Sequence, residues 1–131
     1  MPRAAAAQAL ATLCPDLHNW PQLWCVEPAD IAVAQRLLTL IQPFLLHLLA
    51  QNLATKTLRH HRDHLCMLGG EIIRRRYDDA DLQRLPIDKI LLRLLEEEGG
   101  PLIWPRVSEQ HQNAFDATCR KLYRFLNAGN D

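Results

Sequence analysis

The chain has 131 residues, 48% of them apolar, with equal numbers of Lys plus Arg and of Asp plus Glu. That length fits one domain with a continuous core, and the balanced charge argues against a strongly basic nucleic-acid binder. Five glycines, few β-branched residues and an excess of leucine favour helices over strands and exclude extensive disorder.

The first predicted element is an alanine-rich helix from about Arg3 to Leu13. It ends at Cys14-Pro15, because the residue before a proline is pushed out of helical geometry. Arg3 and the alanines give this end a faint likeness to a secretory signal, but the long apolar centre is missing. The following segment, with Pro15, Pro21 and Pro28, carries Trp20, Leu23, Trp24 and Val26 and reads as a loop packed on the core. Residues 1–27 are therefore expected to form an N-terminal extension on a helical domain spanning 28–131.

Pro28 suits the first turn of a second helix, with Asp30 favourable to its dipole. Ile31, Ala34, Leu37, Leu38, Ile41, Leu45 and Leu48 recur at helical spacing to about Asn52. Pro43 implies either a kink or two helices, and the continuous apolar stripe favours the kink. Gln42, Pro43, His47 and Gln51 interrupt the leucine-rich run, so no membrane span is expected and the location reads as cytoplasmic.

Thr55 reads as the N-cap of a third helix reaching Tyr77. Leu58, Leu65, Leu68 and Ile72 fall on one face, and Lys56, Arg59, His60, Asp63 and Arg74 on the other. Gly69-Gly70 in its middle weakens a helix, so these glycines either permit a close approach or interrupt the element. Charge is segregated along the chain: residues 53–77 hold six Lys or Arg against Asp63 and Glu71, whereas residues 78–99 hold three against seven acids. A fourth helix, about Pro86 to Glu98, stops at Gly99-Gly100-Pro101, and a last one, capped by Ser108, buries Phe115, Cys119, Leu122, Phe125 and Leu126.

Chemistry-bearing constellations are few. His60 and His64, four apart, share a helix face with metal-ligand spacing, but without an HExxH signature the histidines read as a titratable surface patch, and no metal or cofactor is expected. Glu96, Glu97 and Glu98 point around a helix rather than converging, and read as a solvated face. No nucleophile arrangement or phosphate loop occurs, and Gly99-Gly100 is accounted for as a helix stop. The chain is read as a non-enzyme. Trp20, Trp24 and Trp104 read as caps on the ends of the core, and Cys14, Cys25, Cys66 and Cys119, without paired spacing, as free thiols.

The stretch LATKTLRHHRDHL from Leu53 to Leu65, together with CRKLYRFL from Cys119 to Leu126, resembles the N-terminal core-binding domain of tyrosine recombinases and phage integrases. The resemblance covers roughly Ile31 to Leu126. It implies an all-α fold, a compact orthogonal bundle of four to five helices of the SAM-like kind, which grips the DNA backbone from its second and last helices. On matching positions it implies a DNA face of Thr55, Lys56, Thr57, Arg59 and His60, supported by Arg120, Lys121 and Arg124. The family's catalytic domain has no room here, so the expected role is a recombination-accessory protein, of a mobile element, acting on double-stranded DNA beside a recombinase partner. The split charge leaves a different expectation open: a homodimer in which the basic helix meets the acidic segment of a second copy.

Overall fold

Leucine-rich stripes at helical spacing must bury one face each, and the chain satisfies them with helix-on-helix packing. The computed structural model describes residues 3–96 and 98–128, and among these there are seven α-helices and no strand. They are α1 (Arg3–Leu13), α2 (Trp20–Trp24), α3 (Ile31–Leu49), α4 (Thr55–Asp78), α5 (Ala80–Gln83), α6 (Ile87–Leu94) and α7 (Glu109–Ala128). The all-α class follows. Of the three consecutive glutamates, Glu96 and Glu98 are exposed, and Glu97 lies outside the described residues.

Helix α3 lies at the centre, packed by α1, α2, α4 and α6. Its buried stripe is Ala34, Leu37, Ile41, Phe44, Leu45 and Leu48. It runs as one helix through Pro43, whose ring is exposed. The segment Pro28–Leu49 is 22 residues long, and an 18-residue window within it has a mean hydropathy of 1.4, long and apolar enough to cross a bilayer by length and composition alone. By length and composition the interruptions at Gln42, Pro43 and His47 do not remove that property, with Arg36 the one Lys, Arg, Asp or Glu within Ile31–Leu49, but a core helix packed on several sides, as α3 is, has the same composition.

The N-terminal segment is more regular than a loop. Asp30 accepts from the backbone N–H groups of Val26 and Glu27 and completes a reciprocal capping box with Glu27, which fixes the entry to α3. Leu10, Leu13, Trp20 and Trp24 join the same core cluster as α3 and α4. The two tryptophans bound α2 and are buried as core caps, whereas Trp104 is 48% exposed and caps nothing.

Helix α4 is unbroken through Gly69-Gly70, because the Trp24 indole lies directly on that surface. A Cβ on Gly69 would sit 2.2 Å from the indole ring, and the Trp24 N–H donates to the Cys66 carbonyl at 2.8 Å. A similar close approach accounts for Gly99-Gly100 and corrects their reading as a helix stop. Helix α6 already ends at Leu94, and Glu96 and Gly99 then pair in an isolated bridge. There a Cβ on Gly99 would meet Asp116 at 2.7 Å, and one on Gly100 would meet the Cys119 sulfur at 2.4 Å. Gln112 holds the rest of this loop to α7: its carbonyl oxygen accepts from the N–H groups of Ile103 and Trp104, and its amide donates to Pro101 and Asp116. All four cysteines are free thiols, Cys14 and Cys119 buried.

Candidate nucleic-acid interface

The start of α4 is an unusual helix N-terminus. Ala54, not Thr55, occupies the N-cap, and no side chain accepts from the first turn. This corrects the expected Thr55 cap: Thr55 is already in helical geometry, its hydroxyl beyond the position from which a cap accepts. The link from α3 turns at Asn52, whose φ of 56° is a left-handed conformation that asparagine tolerates well. Thr55, Lys56, Thr57, Arg59 and His60 are all exposed on the first two turns. The exposed first-turn N–H groups and the positive end of the dipole face solvent together with these side chains.

Helix α7 passes α4 in the opposite sense. His111 packs near His64 with ring centroids 5.7 Å apart, and the Thr118 hydroxyl lies 2.7 Å from the Nδ1 atoms of both His61 and His64. Lys121 follows one turn later, close enough for its charge to act on His61. Arg124, one turn further, lines a groove with Gln51 at the end of α3. Arg120 instead turns to the other side, where its guanidinium donates to the Glu98 carbonyl at 3.0 Å. Of the three α7 cations expected at a DNA face, Lys121 thus lies near His61 on the second turn of α4, Arg124 lies beside the end of α3, and Arg120 is engaged with the loop after α6.

Of the three histidines in α4, His60 is on the surface and the other two are not, which corrects their reading as a surface patch. His61 and His64 are buried, and the Nε2 of His61 has no hydrogen-bond partner. Burial, then the charges of Lys121, His64 and His60, hold the His61 imidazole down at about 4. Burial, then His111 and His60, lower His64 as well, against the opposing pull of Asp63. Among the described residues no group of three or more His, Cys, Asp or Glu is arranged to hold a metal ion.

The basic run at the far end of α4 is also internal chemistry. Glu71 is 6% exposed and is met by Arg74, by Arg75 at 2.9 Å and by Arg106 at 2.9 Å. A carboxylate in that position must be paired, and the arginines supply the pairing. Arg76 lies 3.9 Å from Asp30, which also accepts from the Tyr77 hydroxyl at 2.7 Å. Burial pushes the Asp30 carboxyl up, but Tyr77, the N–H groups of Glu27 and Val26, and Arg76 outweigh it, and its pKa falls below the usual range. The same hydrogen bond raises the Tyr77 phenol to about 12. Arg62 pairs with Asp63 and donates to the Leu13 carbonyl, tying α4 to α1.

Four of the six cations between Leu53 and Tyr77 therefore have internal acidic partners. Lys56 and Arg59 have none among the described residues, and neither do Lys121 and Arg124. Sequence periodicity offered the pairs of Glu71 with Arg74 and Arg75 at i,i+3 and i,i+4, but missed the approach of Arg76 to Asp30 and of Arg106 to Glu71, which lie far apart along the chain. It also missed the aromatic groove beside Arg124, formed by Phe44 and His47 of α3 and Phe125 of α7. Phe44 and His47 are three apart and share a helix face, which was the available signal; the approach of Phe125 was not readable.

No family model, no curated protein and no solved structure matches the chain.

Proposed function

We propose that the chain is a non-catalytic DNA-binding or recombination-accessory module that contacts the duplex backbone through the start of α4 and the outer face of α7. The observation that carries this reading is the set of unpaired cations at one end of the molecule. Lys56 and Arg59 beside uncapped N–H groups, with Lys121 and Arg124 from the neighbouring helix, make a surface suited to phosphate oxygens. The resemblance to a SAM-like core-binding domain supports the same face, with Thr55, Thr57 and His60 in contact, and carries with it a cytoplasmic location and a recombinase as partner.

The test is a titration of labelled duplex DNA with wild type and with a Lys56→Ala, Arg59→Ala, Arg124→Ala variant, at low and at moderate salt. All three side chains are exposed, so the variant keeps its helical circular dichroism. Each lost phosphate contact is worth on the order of 1 kcal/mol, so the triple change weakens binding roughly a hundredfold. A wild-type chain that leaves the duplex unshifted at low salt ends this reading.

One observation favours a second reading, a homodimeric interaction module without DNA affinity. Leu23 and Val26 are 67% and 59% exposed beside a groove lined by Ile103 and Val107 and bordered by Glu71, Arg74 and Arg106, on a face away from the start of α4. Sedimentation over a wide concentration range separates the two: this reading requires a mass that doubles, and loses that doubling in a Leu23→Ser, Val26→Ser variant.

A further inference from the structure

We infer that the groove between the ends of α3 and α7 holds a single unpaired nucleotide, its base against an aromatic wall and its phosphate between Lys121 and Arg124. Phe125 and His47 form the wall, and Phe44, 1% exposed, backs them. Phe125 lies 4.8 Å from His47 and 5.4 Å from Phe44, centroid to centroid, and all three line a cavity of about 300 Å³. Gln51 borders it with its amide nitrogen 2.8 Å from the His47 Nε2, which fixes the imidazole plane. Among the described residues the cations at the rim have no acidic partner and no carboxylate lines the groove.

The donor set selects the ligand. Two unpaired cations call for an anion, and a ring wall calls for a flat, apolar body attached to it. A phosphate alone uses the first feature and wastes the second. A nucleobase within an intact duplex is stacked on its neighbours and presents no free face, so the groove takes a nucleotide that is unpaired, either free or at the frayed end of a strand. Arginine beside the rings adds a planar cation that itself stacks on bases. The inference rests on the DNA-binding reading for its choice of anion, and its site adjoins the start of α4, so one strand can lie across both.

The experiment uses the full chain. Adenosine monophosphate and inorganic phosphate are titrated separately, with the side-chain NMR signals of His47 and Phe125 as the readout. A blunt labelled duplex is compared with the same duplex carrying a short unpaired overhang. The mononucleotide shifts both ring signals where phosphate does not, and the overhang tightens binding about tenfold, the size of one base–ring stack. A Phe125→Leu variant, which keeps an apolar side chain of similar reach, loses the overhang preference and keeps its affinity for the blunt duplex. If the mononucleotide does no more than phosphate and the overhang gives no advantage, the groove is not a nucleotide site. If the mononucleotide binds and the blunt duplex does not, the groove stands and the duplex reading falls.

Discussion

Thr118 has one hydroxyl proton and two lone pairs, yet the Nδ1 atoms of His61 and His64 both lie 2.7 Å from its oxygen. The hydroxyl can donate to one imidazole while accepting from the other, so the pair is satisfied with both rings neutral and in opposite tautomers. A proton added to either ring meets a buried site that already has Lys121, His60 and His111 close by. The unfolded chain titrates its histidines near 6.5, whereas folded His61 is held at about 4. Between those values the unfolded chain binds more protons, so the pair's contribution is complete above pH 6.5 and is lost as pH falls towards 4. Discounted for partial solvation, the loss for His61 is roughly 2 kcal/mol. Urea midpoints measured near neutrality and again in mild acid, for wild type and His61→Gln, isolate it from the carboxylates. The variant is less stable at neutral pH but declines less on acidification; parallel declines would remove His61 from the account.

Helix α4 carries two adjacent glycines that the same reasoning separates. Gly69 faces the Trp24 indole with no room for a Cβ, whereas a Cβ on Gly70 meets Trp24 only at an ordinary 3.6 Å. Gly69→Ala should therefore cost about 2 kcal/mol or more through overpacking, and Gly70→Ala should add about 0.5–1 kcal/mol through helix propensity. Thermal melts of the two variants with opposite signs would bear this out, and a stabilising Gly69→Ala would refute it. At this scale much of the fold was legible in the chain. The extents of α1, α4 and α7 follow from periodicity, from Cys14-Pro15, and from Ser108, whose hydroxyl accepts from the His111 N–H at 3.0 Å. The early end of α6 was not, because Gly99 and Gly100 are set by contact with Asp116 and Cys119, a long-range demand that resembles a local stop signal. Within the candidate site, the exposure of Lys56 and Arg59 was readable from their helix face. The pairing of Arg74 and Arg75 with Glu71, three and four residues earlier on the same helix, was readable too, whereas the approach of Arg76 to Asp30 and of Arg106 to Glu71 was not, since those partners meet only in the packed molecule.

For the whole molecule, the segregation of charge along the chain does not become a basic face of the same size. Residues 53–77 look strongly basic, but Arg62, Arg74, Arg75 and Arg76 meet Asp63, Glu71 and Asp30 within the fold. On the proposed DNA-binding reading, the cations left to meet a duplex are four without acidic partners among the described residues: Lys56, Arg59, Lys121 and Arg124. Each phosphate neutralised releases condensed counterions, and the slope of log K against log salt is about −0.9 per contact on B-form DNA. Four contacts give a slope near −3.6, whereas engagement of the whole arginine run would bring it close to −7. Anisotropy titrations across a salt series measure this directly. A slope near −3.6 that flattens by about one in Arg124→Ala, and does not change in Arg74→Ala, would mean that the interface is the small cluster at the start of α4. A steep slope sensitive to Arg74 would instead require the Glu71 network to open on binding, exposing a buried carboxylate at a cost that backbone contacts of this strength do not offset.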